Sequence, residues 1–205
     1  MRKYMYMKVA VLSLVLMPIT GAYAQGLDVK PYAGIGIGMF GLEAKGANGV
    51  TYNQNSTVFG GFGKFGVDVG DYFGAELRIG STGSGTETMA AGTFGVGSAF
   101  NSTIKMKQFV SYLGKVQYPI SQDLRVYGLF GGTTAKFQQS DKFSTESGSK
   151  TGFSYGFGGE YALGKLSVGG EWVQYWTNIG GNGAFGNLSA KVKMWGAVGT
   201  VSYRF

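Results

Sequence analysis

The chain has 205 residues, with 18 basic and 11 acidic side chains, a formal net charge of +7, and neither cysteine nor histidine. Hydrophobic residues make up 44% and aromatic residues 15%, so the chain is too apolar and too weakly charged to be disordered. Without cysteine there are no disulfides or thiolates, and without histidine the commonest general base and metal ligand are missing. We therefore expect no enzyme, metal site or cofactor, and the length allows one domain.

The first 24 residues are typical of a secretory signal peptide. A basic stretch over 1–8 precedes a short apolar run over 9–19, and Ala22 and Ala24 form an A-x-A cleavage site. The alternative, a membrane anchor, is disfavoured because the apolar run is shorter than the about 20 residues that a spanning helix needs. We predict cleavage after Ala24.

Residues 25–205 alternate between apolar and polar positions, which predicts strands with one apolar face. In one segment, for example, Leu124, Val126 and Phe130 alternate with Arg125. Eight such segments occur. They are separated by three short turns and four long polar links: the turns near 70–71, 119–123 and 163–165, the links near 41–55, 82–101, 138–151 and 178–189.

Short turns at one end and long links at the other describe an antiparallel up-and-down meander of eight strands. Such a meander can close into a barrel that leaves no open edge. Two barrels fit the pattern. A soluble ligand-binding barrel of the lipocalin kind would turn its apolar face inward, whereas a transmembrane barrel of a bacterial outer membrane would turn it outward to lipid.

The charges favour the membrane barrel. No charged residue falls on the apolar face across the middle of any strand, where Lys or Arg would cost about 2–4 kcal/mol. The opposite face carries both signs of charge, which suits a narrow lumen filled by ion pairs. The predicted lumen network consists of Lys64, Glu76, Arg78, Lys107, Lys115, Arg125, Glu160, Glu171 and Arg204.

Aromatic residues at both ends of the apolar faces predict two interfacial girdles, as membrane barrels have. The residues near the short turns are Phe73, Tyr118, Tyr161, Tyr203 and Phe205, and those near the long links are Trp176 and Trp195. With two girdles flanking an uncharged apolar band, we expect the protein in the outer membrane of a bacterium.

The C-terminal segment 199–205 resembles the terminal assembly signal of outer-membrane barrels, with Val201, Tyr203 and Phe205 at alternate positions. Segment 115–132 resembles the strand–turn–strand around the "YPI" turn of the outer membrane protein A (OmpA) family. Two later stretches, 158–163 and 176–180, resemble further segments of the same barrel. The resemblance implies a plugged eight-stranded barrel that the barrel-assembly machinery inserts into outer-membrane lipid.

In that family, buried salt bridges between strands plug the lumen. By resemblance, Glu76 matches one lumen glutamate, Lys115 matches its lysine partner, and Glu160 matches a second glutamate. The family's arginine on the seventh strand has no counterpart, because this chain has Glu171 and Val173 there. The residues that could compensate are Arg78, Arg125 and Arg204.

Two lysines, Lys191 and Lys193, have the parity of the lipid-facing side and lie just beyond Trp195. At that height the outer leaflet presents lipopolysaccharide phosphates, which lysines can pair with as point charges. The alternative is that these lysines only increase solubility near a loop. We predict a lipopolysaccharide contact.

Three functions remain open. The first is a structural and surface-interaction protein, in which a rigid barrel displays loops for envelope integrity, adhesion or host contact. The second is a small channel of low conductance, and the third is a soluble ligand-binding barrel.

The glycine string Gly36-x-Gly38-x-x-Gly41 continues a strand rather than opening a helix, so it does not indicate nucleotide binding. We expect a monomer with lipid, lipopolysaccharide and host surface molecules as partners, and no nucleic acid.

Overall fold

The computed structural model of the protein describes residues 28–46, 53–92, 97–142, 145–185 and 188–205, leaving aside the side chains of 181–190. The predicted signal peptide and its cleavage site after Ala24 lie outside these residues and stay predictions. Nine strands form within the described ranges: β1 (Val29–Gly46), β2 (Asn53–Val69), β3 (Phe73–Thr82), β4 (Ser84–Met89), β5 (Phe100–Pro119), β6 (Leu124–Asp141), β7 (Thr145–Leu163), β8 (Leu166–Phe185) and β9 (Leu188–Arg204).

The strands pair in a closed antiparallel ring. The order along the sheet is β3-β2-β1-β9-β8-β7-β6-β5-β4, and β3 also pairs with β5, which joins the two ends. Only Gly83 separates β3 from β4, and both pair with β5, so together they make one interrupted strand of an eight-stranded barrel. The predicted all-β up-and-down barrel is confirmed. Within the described ranges, no helix is long and apolar enough to cross a membrane.

The outer wall is apolar. Phe59, Phe153 and Phe157 are at least 63% exposed, and Phe65 and Val201 also face outward. A water-exposed surface rarely shows so continuous an apolar patch, whereas a lipid-facing wall requires one. The apolar faces therefore point outward, and the soluble ligand-binding barrel is excluded.

The predicted short-turn girdle lies on this outer wall, where its members are all exposed: Phe73, Tyr118, Tyr161, Tyr203 and Phe205. Trp195 also faces outward, half-buried on β9. Its indole lies against Gly41 of β1, where an added Cβ would come within 2.1 Å of the ring. The glycine is what allows the indole to lie close to the wall.

The interior has two halves of different chemistry. Near the short turns it is charged, with Lys64, Asp68, Glu76 and Arg78 all buried. Toward the loop end it is filled by large buried side chains that we call the apolar plug: Phe40, Leu42, Phe62, Ile104, Met106, Phe109, Phe137, Tyr175, Trp176, Val192 and Met194. The sequence predicted ion pairs in the lumen but did not predict this apolar filling of the loop-end half.

A β-bulge in β5 explains one wrong assignment. Met106 pairs with Phe137 and Gln108 with Lys136, so Lys107 is an extra residue between two pairs. A bulge reverses which parity faces inward. On its loop side Ile104 and Met106 are fully buried. Lys107 itself is exposed and does not belong to the lumen network for which it was predicted.

A second irregularity, in β8, explains the wrong assignment of Trp176. The register shifts between Gln174 and Trp176, and the indole turns inward, fully buried. Its Nε1 donates a hydrogen bond of 2.9 Å to the backbone oxygen of Thr133 on β6. Trp176 therefore packs in the apolar plug, and its assignment to the loop-end girdle is wrong.

The strands extend further than the alternation indicates. The seven uninterrupted strands have 17 to 20 residues, although about 9–11 tilted residues span a bilayer. Pairing in the β6–β7 hairpin continues to Ser140 and Thr145, and in the β8–β9 hairpin to Phe185 and Leu188. Much of the predicted loops is therefore paired strand that projects beyond the membrane.

Candidate functional site

Arg78 is the centre of the charged half. It lies on β3, points inward and is fully buried. Its Nε donates to Glu76, and its Nη1 and Nη2 donate to the two carboxylate oxygens of Glu171 at 2.5 and 2.9 Å. Because β3 and β8 lie opposite each other in the ring, this bidentate bond crosses the lumen. Arg78 thus ties two walls of the barrel together.

The two glutamates have further partners. The Tyr32 hydroxyl donates to Glu76 at 2.8 Å, and the Tyr127 hydroxyl donates to Glu171 at 3.0 Å. Lys64 lies 3.6 Å from Glu76. A buried network whose members are all paired is rigid, whereas one missing partner is costly. Substituting any single residue of this network should therefore lower the stability of the barrel.

A second ionic cluster surrounds Asp68, nearer the short turns. Its carboxylate lies 2.5 Å from Lys115 Nζ, 3.5 Å from Arg204 Nε and 3.8 Å from Arg125 Nη1. Arg204 also pairs with Glu160. We call the two clusters together the ionic network. Asp68 was not among the predicted lumen residues, although its inward parity could have indicated it.

The pairing of Glu76 with Lys115, expected from the family resemblance, is wrong. Lys115 pairs with Asp68, and Glu76 pairs with Arg78 and Lys64. Gly74, which lies between β2 and β5 in the register, makes the Lys115–Asp68 pair possible. An added Cβ there would come within 3.0 Å of both Asp68 Oδ1 and Lys115 Cε. The missing side chain lets the two charges meet across β3.

Of the three arginines considered in place of the family's arginine, Arg78 lies between the lumen glutamates. Arg78 lies on β3 and binds Glu171, which is on β8, the strand where the resemblance places the arginine. The other two candidates, Arg125 and Arg204, contact Asp68 instead. Position 173, where the resemblance places the arginine, holds a valine that is buried in the hydrophobic core.

The apolar plug begins directly above Arg78. Tyr175 joins the two halves, since its hydroxyl is 3.3 Å from Arg78 Nη1 while its ring lies 5.2 Å from that of Phe109. Phe109 also packs near Phe40 and Phe62, with ring centroids 5.9 and 6.3 Å apart. These contacts join residues from four different strands across the interior, which leaves it filled.

The two lysines predicted to contact lipopolysaccharide lie on the outer wall at the loop end. Lys191 is exposed and lies opposite Lys45 in the β1–β9 register, which places two like charges side by side. Lys193 lies opposite Glu43, and the two form an ion pair of 3.5 Å. Lys191 is therefore the less compensated of the two cations.

The residues of the predicted assembly signal all point outward. Val201 is 44% exposed, and Tyr203 and Phe205 form an edge-on ring contact of 5.5 Å. The backbone nitrogen of Phe205 donates to the carbonyl of Pro31, which fixes the chain end to β1. Three outward apolar side chains are thus held in a row at the short-turn end.

A closed antiparallel barrel with an apolar outer wall and a charged interior defines a bacterial outer-membrane β-barrel. Residues 9–205 match the family model described as the outer membrane protein beta-barrel domain, and the chain belongs to that family. The predicted family and the predicted location in the outer membrane of a bacterium are thereby confirmed. No curated protein matches the chain.

Several solved structures are similar. The attachment invasion locus protein Ail of Yersinia pestis is 18% identical, with 86% of this chain and 99% of that chain covered and a TM-score of 0.50. The N-terminal barrel of Pseudomonas aeruginosa OprF is 15% identical, covering 85% and 97%, with a TM-score of 0.48. Neisserial surface protein A is 11% identical, covering 85% and 97%, with a TM-score of 0.49. At 18% identity, the likeness to Ail concerns the fold alone.

Proposed function

We propose that this protein is a non-conducting structural and surface-interaction barrel, active as a monomer and without catalysis. The observation that carries this proposal is the apolar plug above the ionic network. The interior of an eight-stranded barrel is just wide enough for side chains. Phe40, Phe109, Phe137 and Trp176 have no exposed surface. A hydrated ion would have to displace these residues, so a small channel is disfavoured.

The long strands support a role at the cell surface. With 17 to 20 residues, a strand exceeds the about 9–11 that cross the bilayer, and the excess projects at the loop end. In outer-membrane barrels the short turns face the periplasm and the longer connections face outward. Loops on a rigid scaffold are where binding commonly resides. Host surface molecules are the proposed partners of these hairpins.

The proposal includes two contacts within the envelope. Lys191 and Lys193 would bind lipopolysaccharide phosphates, because they face outward at the loop end beside Trp195. Val201 and Phe205 belong to the row of apolar residues that the assembly machinery would recognise during insertion. The exposure and alternate spacing of that row support this role.

Planar-bilayer recording tests the absence of conduction. The purified barrel should give almost no current steps, since both the apolar plug and the ionic network block the interior. Large stable steps from the wild-type protein would contradict the proposal. An outer-membrane porin reconstituted in the same bilayers serves as the positive control.

The surface role is tested with a deletion strain and a trimmed hairpin. Gln138 lies opposite Ser147 in the β6–β7 register, so 139–146 can be removed and the ends rejoined by a two-residue turn. We expect deletion to reduce both host-cell binding and detergent resistance. The trimmed protein should restore detergent resistance but not full binding. Unchanged host-cell binding by the deletion strain would refute the surface role.

A further inference from the structure

Three lysines form a cationic patch on the outer wall of β5 and β6: Lys105, Lys107 and Lys136. Lys107 and Lys136 are exposed, and Lys105 is half-buried. The cross-strand neighbours of Lys105 and Lys136 are uncharged: Ser84 and Gln138 beside Lys105, Gln108 and Ser149 beside Lys136. Lys107 is the bulge residue and has no register partner. Within the part of the chain that the structure describes, no carboxylate forms an ion pair with any of them.

The bulge at Lys107 places the two β5 lysines of this patch on the outside, whereas Lys136 faces outward by the regular alternation of β6, between buried Ala135 and Phe137. On the short-turn side of the bulge, odd-numbered residues such as Phe109 and Lys115 face inward. If that parity continued, Lys105 would point into the apolar plug, and Met106 would point to the outer wall. One extra residue reverses the parity and moves the charge from the interior to the surface.

The height of the patch follows from strand geometry. A strand rises about 3.3 Å per residue and is tilted about 40°, so an apolar band about 25 Å tall takes about ten residues. Counted from Tyr118 at the short-turn girdle, ten residues along β5 end at Gln108. Val126 of β6 pairs with Tyr118, and ten residues counted from it along β6 end at Lys136. The lysines thus lie where hydrocarbon gives way to lipid headgroups.

The patch is separate from the lysines on β9. Counted from Tyr203, ten residues end at Lys193, which is the same height on the opposite wall. There, however, Glu43 pairs with Lys193 at 3.5 Å. The β5–β6 patch has three cations and no such acid, so it is the less compensated of the two.

We propose that Lys105, Lys107 and Lys136 bind a phosphate group of an anionic lipid in the outer leaflet. Clustered ammonium groups near a membrane surface attract anionic headgroups, and lysine binds phosphate as a point charge. This site adds to the contact proposed for Lys191 and Lys193. With one site on each of two opposite walls, bound lipids fix both the depth and the tilt of the barrel.

The test uses the folded barrel in nanodiscs of phosphatidylcholine containing lipid A with two phosphates. Native mass spectrometry after extraction counts the lipid A molecules that stay bound. The variant K105Q/K107Q/K136Q should retain one fewer than wild type, and its affinity for lipid A should fall at least about tenfold. The single variant K107Q should show part of this loss. Wild-type retention by the triple variant would overturn the proposal.

Two controls separate the alternatives. The variant K30Q/K165Q removes two lysines at the short-turn end and should retain as much lipid A as wild type; an equal loss there would indicate a general charge effect and refute the site. Inorganic phosphate added in equal amount should not displace the lipid. Displacement would show a site for free anions instead. Lipid A without phosphates should be retained equally little by wild type and the triple variant.

The outcome is independent of the proposed function. A barrel that conducts, or that fails to bind host cells, would refute that function and leave the lipid count unchanged. Conversely, loss of the β5–β6 site would not open the apolar plug. The variant K191Q/K193Q, measured alongside, shows whether the contact on β9 exists independently.

Discussion

The two halves of the interior solve the same problem in different ways. Both must fill a narrow tube at little cost in buried polar groups. Near the short turns, Arg78 and Asp68 organise ion pairs between strands. Toward the loop end, Phe109 and Tyr175 pack against neighbouring rings. Buried ion pairs fail if one partner is lost, whereas packed rings fail in proportion to the volume removed. The comparison predicts different responses to substitution.

The largest effect is expected for Arg78→Leu, which leaves Glu76 and Glu171 without their shared cation. Breaking a buried pair costs about 3–5 kcal/mol, and urea unfolding in lipid vesicles would measure it. The double variant Arg78→Leu/Glu171→Leu should recover part of the loss, because it removes the stranded carboxylate as well. A double variant less stable than the single one would contradict the ionic account.

Phe109→Ala should destabilise the apolar plug by about 3 kcal/mol, since the deleted ring leaves a cavity that three neighbours line. The same unfolding assay measures the change. Phe109→Leu, which keeps most of the volume, is the matched control and should lose much less. If the two variants lost equal stability, packing would not be what holds this half together.

A smaller effect is expected for Gln54→Ala at the loop-end rim. Gln54 is fully buried, and its Nε2 donates to the backbone oxygen of Ser102 at 2.9 Å while its Oε1 accepts from the Ser102 hydroxyl at 3.1 Å. Leaving those groups unpaired should cost about 1–3 kcal/mol. The exposed neighbour Asn55→Ala is the control and should change the urea midpoint little.

The smallest effect is expected for Lys30→Gln. Lys30 pairs with Asp28 at 2.6 Å, but both side chains are largely open to solvent. Exposed pairs contribute about 0–1 kcal/mol, so the urea midpoint should hardly move. A loss as large as that of Arg78→Leu would remove the distinction between buried and exposed pairs.

Much of the barrel could be predicted from the sequence because alternation survives wherever the wall is regular. Phe73, Tyr161 and Tyr203 face outward as their parity indicates, and Glu76 and Lys115 face inward. Lys107 could not be placed. Apolar residues occupy even positions on both sides of the bulge, so interior Met106 and exterior Tyr112 follow one numerical pattern.

Which charged residues pair with each other in the ionic network could not be predicted from the sequence either. That Lys115 binds Asp68 depends on the register of three strands and on the space left by Gly74. Register is set by hydrogen-bonded pairing over the whole sheet, and a shift of one residue turns every side chain over. Phe40 and Leu42 were missed for a simpler reason. Phe40 lies next to the predicted link 41–55 and Leu42 lies within it, and that segment is too rich in glycine and polar residues to be recognised as strand.

The interruption at Gly83 has a mechanical consequence. Pairing between β2 and β3 ends at Gly60 and Thr82, and beyond this point β4 stays with β5 while Asn55 of β2 donates its backbone amide to the Glu87 carboxylate. One backbone bond, from the Gly83 amide to the Phe59 carbonyl, and side-chain hydrogen bonds of Glu87 and Gln54 thus replace the ladder that joins the other strands. The amide hydrogens at this boundary between β2 and β4 should exchange before those of the other strands. Local opening at the loop end would therefore begin there and leave the membrane-embedded wall paired.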